Sequence, residues 1–260
     1  MEKADRAVLK KWISLSGAVL AVVYSVNCFL LYPLTASVTN NVVYAETAIP
    51  MLLEYIAELL ELGGISMCYA VMLLAVYTWG TKSVKGVFGT FCLVTFYKYM
   101  ANTVSSWVNG GSIPLSWAWD LTDVLFWTLL EFLQMFIIFS LSKGIITKYT
   151  DKRLVMLRAS KKTDEHIEGI PPHAYPFQSI IDNGNCLLRS AFICATVTLI
   201  AKLGGAVISD VWLIIAYGIP TEGITWLYMA VNYLIKAIMG CISYLFVYAA
   251  MSSLTKDLEA

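Results

Sequence analysis

Lys98, Glu131, Lys202 and Lys236 are ionisable side chains set inside stretches that are otherwise apolar. An isolated charge at the centre of a membrane costs about 2.5–3.5 kcal/mol, so such a group normally has a partner, a watery pocket or a function. The four share a height. Lys98 lies 13 residues past Lys85 and Lys202 lies 13 past Arg189, roughly 20 Å of helix in each case. Glu131 stands 12 residues before Lys143, roughly 18 Å, and Lys236 stands 15 before Met251, roughly 22 Å. Facing one another, they would form a charged layer that holds a small solute by electrostatic attraction. Three lysines against one glutamate leave two ammonium groups over, which predicts an anionic occupant. The competing expectation is that each lysine snorkels to the membrane surface, or pairs only to hold helices together.

Asn102 follows Lys98 by one turn, Gln134 lies one turn from Glu131, and Asn232 one turn before Lys236. With the four charges they make seven candidate ligand-binding residues. Asp120, Asp123 and Asp210 lie farther out and offer the lysines alternative partners. Covalent and metal chemistry are not expected. Both histidines, His166 and His173, fall outside the apolar stretches, and the six cysteines are scattered with no ligand pair. No nucleophile-elbow, zinc-helix, phosphate-loop or dinucleotide-binding motif occurs. The expectation is therefore a non-enzyme without metal or cofactor, and without a nucleic-acid partner.

Six apolar stretches must position these groups, near 13–34, 62–79, 86–108, 121–142, 187–208 and 224–251. The chain of 260 residues is 58% hydrophobic and 14% charged, with a mean hydropathy of +0.69, far from the soluble norm of about 25% charged. Each stretch is close to the ~20 residues that span hydrocarbon as a helix. The alternating short segments of a β-barrel are absent. The expected fold class is an all-α integral membrane protein with six transmembrane helices in a single polytopic domain, residues 1–260.

Cation placement fixes the expected orientation. Apart from Lys98, Lys202 and Lys236, the lysines and arginines fall in four places. Lys3, Arg6, Lys10 and Lys11 precede the first stretch, and Lys82 and Lys85 occupy the second connection. Lys143, Lys148, Lys152, Arg153, Arg158, Lys161, Lys162 and Arg189 fill the fourth, and Lys256 the tail. Connections one, three and five hold none. Cationic segments stay on the cytoplasmic side, so both termini are expected inside a cell membrane crossed several times. The first stretch is longer than a signal-peptide core and contains Asn27 and Pro33, so it is read as a retained span.

The connections add four expectations. Glu54, Glu58 and Glu61 share one helical face and are read as a solvated helix above the outer boundary, with Gly63-Gly64 as a bend below it. Trp107, Trp117, Trp119, Trp212, Tyr217 and Trp226 mark the outer interface. Loop 144–188 should lie in the cytoplasm, with an amphipathic helix over Lys148–Lys162. Finally, Lys98, Ser105, Ile113-Pro114 and Trp119 run parallel to Lys202, Ser209, Ile219-Pro220 and Trp226, the pattern of a parallel repeat between spans 3–4 and 5–6.

Two functions are compatible with this reading. One is a membrane transporter or permease component that binds a small anionic solute in an outward-accessible polar cavity, with any ATP coupling left to a separate subunit. The other is a non-transporting anchor, sensor or assembly partner that acts through a cytoplasmic protein docked on loop 144–188.

Overall fold

The computed structural model describes residues 3–39, 49–109, 117–160, 186–219 and 223–259, and all regular structure among them is helical. The first apolar stretch forms α1 (Lys3–Val26), a π-helical turn (Asn27–Leu31) and α2 (Tyr32–Thr39). Then come α3 (Ile49–Trp79), a 3-10 turn (Thr81–Val84), α4 (Lys85–Asn109), α5 (Trp117–Ser160), α6 (Cys186–Tyr217) and α7 (Gly223–Glu259). Five helical segments, counting α1 through α2 as one, are long and apolar enough to cross a membrane. α4, which carries Lys98, is the long helix that falls short on composition.

Two boundaries differ from expectation. α3 starts at Ile49 and runs unbroken through Gly63 and Gly64, so Glu54, Glu58 and Glu61 belong to the same helix as the apolar span and not to a separate interfacial one. Gly64 instead seats Leu20 of α1, where a Cβ would lie 2.9 Å from its methyl group. α5 likewise runs on to Ser160 as one 44-residue helix. Lys148 onward therefore prolongs a bundle helix as far as that helix is described. Residues 161–185, with Asp182 to Asn185 and both histidines, lie outside the described residues.

Side-chain pairings give the direction of each helix. α1 meets α3 head to tail, Ser16 beside Cys68, Leu20 on Gly64 and Asn27 on Ala57. α1 and α4 run parallel, matching Ile13 with Gly86, Gly17 with Thr90 and Ser25 with Tyr97. α4 and α5 are antiparallel through Phe88–Phe139 and Trp107–Asp120, and α6 and α7 through Leu199–Gly240 and Asp210–Tyr233. Helices thus alternate in direction along the chain.

α3 is the axle of the bundle. It packs against α1, α4, α5, α6 and α7, which follow one another round it in the order α1, α4, α5, α6, α7. Ten consecutive residues, Cys68 to Tyr77, are buried on every side. The outer surface is the reverse, with Phe126, Leu129, Phe136, Ile200 and Ile208 well exposed. An apolar coat of this extent needs a lipid surrounding, since soluble monomers rarely expose such patches.

Two local devices shape the ends. Gly80 closes α3 at φ 83°, a conformation that only glycine adopts without strain, and Ser83 donates its hydroxyl to the carbonyls of Ala75 and Gly80. In the first stretch Pro33 has no N–H for the carbonyl of Phe29. The helix widens there by one residue, and the Tyr32 N–H bonds the carbonyl of Asn27.

Candidate functional site

The widened turn borders the charged layer. Asn27, buried, donates through Nδ2 to the carbonyl of Ala57 on α3 at 2.9 Å. The Ser105 hydroxyl of α4 donates to the carbonyl of Cys28 at 3.3 Å, and the Cys28 thiol points at the carbonyl of Lys98. These bonds pin α1, α3 and α4 together around Lys98.

Lys98 Nζ donates to Glu61 Oε1 at 2.5 Å and to Glu131 Oε1 at 2.8 Å. Tyr99 Oη donates to the same Glu131 oxygen at 2.5 Å. The rings of Tyr24 and Tyr99 face the ammonium at 5.1 and 4.7 Å from their centroids, a cation–π arrangement. About one turn away on α3, Glu58 takes an ion pair from Lys236 and a longer one, 3.6 Å, from Lys202. Tyr55 lies under Lys236 at 5.8 Å and donates its hydroxyl to Asn232 Oδ1 at 3.2 Å. Every long helix contributes to this layer, α1 through Tyr24.

The four charges expected to meet are therefore in one layer, but their partners include two residues assigned elsewhere. Glu58 and Glu61 were expected on a solvated outer face; they turn inward and pair with lysines from α4, α6 and α7. The error lies in where height is counted from. Measured from the shared turn at Gly80, Glu61 lies 19 residues before it and Lys98 18 after it, so both stand roughly 27–28 Å along their helices. Glu61 lies 21 residues before Lys82 but Lys98 only 13 after Lys85, so counting from these two loop cations separates residues that the hairpin brings level. Three lysines now face three glutamates. The surplus of ammonium groups disappears, and with it the reason to expect a simple anion.

The remaining candidates divide. Asn102 lines a cleft with Lys98, Tyr99 and Tyr32. Gln134 and Asn232 tie α5 and α7 to tyrosines of α3 and line neither cleft described here, Gln134 donating to Tyr69 at 3.2 Å. Asp120 accepts from Trp107 at 2.8 Å and Asp210 from Tyr233 at 2.5 Å, so these two are held by aromatic donors instead of lysines. Gly204 and Gly205 sit in an unbroken helix with nothing within 4 Å of an added Cβ.

Two clefts open at the end of the bundle away from Gly80. The larger, about 530 Å³, is lined by Tyr32, Thr35, Ala36, Thr39, Glu54 and Glu58; the smaller, about 340 Å³, by Tyr32, Lys98, Tyr99 and Asn102. Tyr32 is common to both. The second carboxylate oxygens of Glu58 and Glu131 are buried and accept no hydrogen bond from the protein. Buried acceptors of that kind normally bond water or a ligand. Among the described residues, no three His, Cys, Asp or Glu side chains are grouped so as to hold a metal ion.

Comparison of the chain with protein-family models, with curated proteins and with solved structures finds no significant match. What the fold and the site define is an all-helical, membrane-type protein with a half-buried charge network beside open clefts.

Proposed function

We propose that this chain is a membrane transporter or permease component that binds a small charged solute in a polar cavity. Its helices cross a cell membrane six times with both termini in the cytoplasm. α4 counts as a span because the one charged group within its apolar stretch 86–108, Lys98, is matched by Glu61 and Glu131. The cation-free connections then face outward, and the clefts open on that side. One observation carries the reading: ion pairs from five helices meet beside two clefts, whereas helix glue alone requires no open volume.

α4–α5 and α6–α7 act as two like-oriented hairpins around α3, one supplying Lys98 and Glu131, the other Lys202 and Lys236. We read them as a parallel repeat that rocks against the axle. The test is uptake of a mixture of small metabolites into proteoliposomes, read by mass spectrometry. The wild type should accumulate at least one solute, Lys202→Met should accumulate none, and deletion of 150–176 should leave uptake standing. Loss confined to the deletion would favour the anchor or sensor role of loop 144–188, of which residues 144–160 of α5 and 186–188 of α6 are described.

A further inference from the structure

The six paired charges fall into two groups of opposite sign. Lys98 is shared by two carboxylates, which leaves the Glu61–Lys98–Glu131 group one negative charge over. Glu58 is shared by two ammonium groups, which leaves Lys202–Glu58–Lys236 one positive charge over. Glu58 and Glu61 are three residues apart on α3, roughly 4.5 Å of rise, so the two groups are neighbours along the axle. Glu54, at the mouth of the larger cleft, is exposed, where solvent screens its charge.

We propose that the two groups are the two halves of a site for a small zwitterion, a molecule of the amino-acid or betaine class; this rests on the transporter reading and specifies its solute. A lone anion or lone cation would leave the neutral network with an uncompensated charge in a low-dielectric setting, which is costly. A solute carrying one charge of each sign a few ångströms apart leaves it neutral. The orientation follows from the unfilled contacts. The solute's cationic group goes to the negative group, where the second oxygen of Glu131 is buried without a donor. Its carboxylate goes to Lys202, whose pairing with Glu58 at 3.6 Å is longer than a hydrogen bond. Each group reaches a cleft through its shared member, Glu58 in the wall of the larger and Lys98 in that of the smaller, with Tyr32 in both walls, while Lys202 and Glu131 line neither.

The experiment is thermal-shift and calorimetric binding on the full chain in lipid nanodiscs. The probes are glycine, β-alanine, γ-aminobutyrate and glycine betaine, set against propionate and propylammonium. At least one zwitterion should bind tenfold or more tightly than either single-charge probe. Lys202→Met should remove that preference in favour of propylammonium, and Glu131→Gln should remove it in favour of propionate. A variant that only loses packing cannot produce that crossed pattern. Lys202→Arg, which keeps the charge, should retain zwitterion binding and serves where the neutral variants do not fold. Propionate or propylammonium binding as tightly as the best zwitterion would overturn the proposal. So would silence from all four zwitterions while cysteines at 102 and 202 react with an aqueous thiol reagent, a result that leaves the cavity standing. Silence together with unreactive cysteines removes both.

Discussion

From Ile49 to Glu61, α3 has exposed or half-buried positions except for buried Ala57, and turns two carboxylates toward lysines on three other helices. From Cys68 to Tyr77 the same helix is buried on every side and carries no charge. The axle is therefore a plug at one end and a polar wall at the other. Among the described residues, both clefts lie at the end of the bundle away from Gly80. On the proposed transporter reading, a solute entering there would meet close packing below, so passage would require a hairpin of the ring to move against α3. The comparison also explains why the charges cluster as they do: the central helix is the one position from which a carboxylate reaches lysines on α4, α6 and α7.

The sharpest way to break this contrast is to put a charge into the dry half. Ala75→Lys should cost at least about 3 kcal/mol, the order of an unpaired buried charge, and collapse the yield of monodisperse protein in gel filtration. Asn102→Lys, in the wall of the smaller cleft, should leave yield and thermal midpoint near those of the wild type. Equal damage from both would erase the distinction between the halves.

Next in size is the Lys98 clamp. Glu61→Gln and Glu131→Gln should each cost about 1–2 kcal/mol, because the ammonium keeps one carboxylate. Together they leave a buried charge without a counter-ion, and the pair should cost about 3–5 kcal/mol, more than the sum of the singles. Reversible unfolding in mixed micelles measures the cycle, and simple additivity would mean that Lys98 reaches solvent or lipid headgroups instead.

Smaller effects separate the glycines. Gly240 lies against the backbone of Leu199, where a Cβ would come within 2.6 Å of its Cα, so Gly240→Ala should pry α6 from α7 at a cost of about 1–3 kcal/mol. Gly205→Ala meets nothing within 4 Å and should stabilise α6 slightly, by about 0.5–1 kcal/mol. The same unfolding measurement decides between them, and a reversed order would mean that α6 and α7 pack through another face.

The membrane-type helices were legible from hydropathy because hydrocarbon demands long apolar runs. Lys98 and Glu131 were legible as partners from their depth in the chain. Glu58 and Glu61 were not, because height was counted from charged loop residues and not from Gly80, the turn that physically joins α3 to α4. Their equal distance from that turn was the signal that could have found Glu61. The central place of α3 was invisible for a different reason: every span is apolar, and which one is surrounded depends on packing order, not composition. The continuation of α5 to Ser160 was missed because its charged residues resemble a surface segment, although no proline and only one glycine, Gly144, lies between Ser142 and Ser160.

Water access decides the matter most directly. In a background lacking the six native cysteines, single cysteines at Thr35, Asn102 and Lys202 should react with a membrane-impermeant thiol reagent added outside intact cells. Cysteines at Ala70 and Ala75 should stay unreactive from either side. Labelling confined to the first set is the expected result; silence at all five positions, or equal reaction in both halves of α3, would contradict a hydrated charge network above a dry plug.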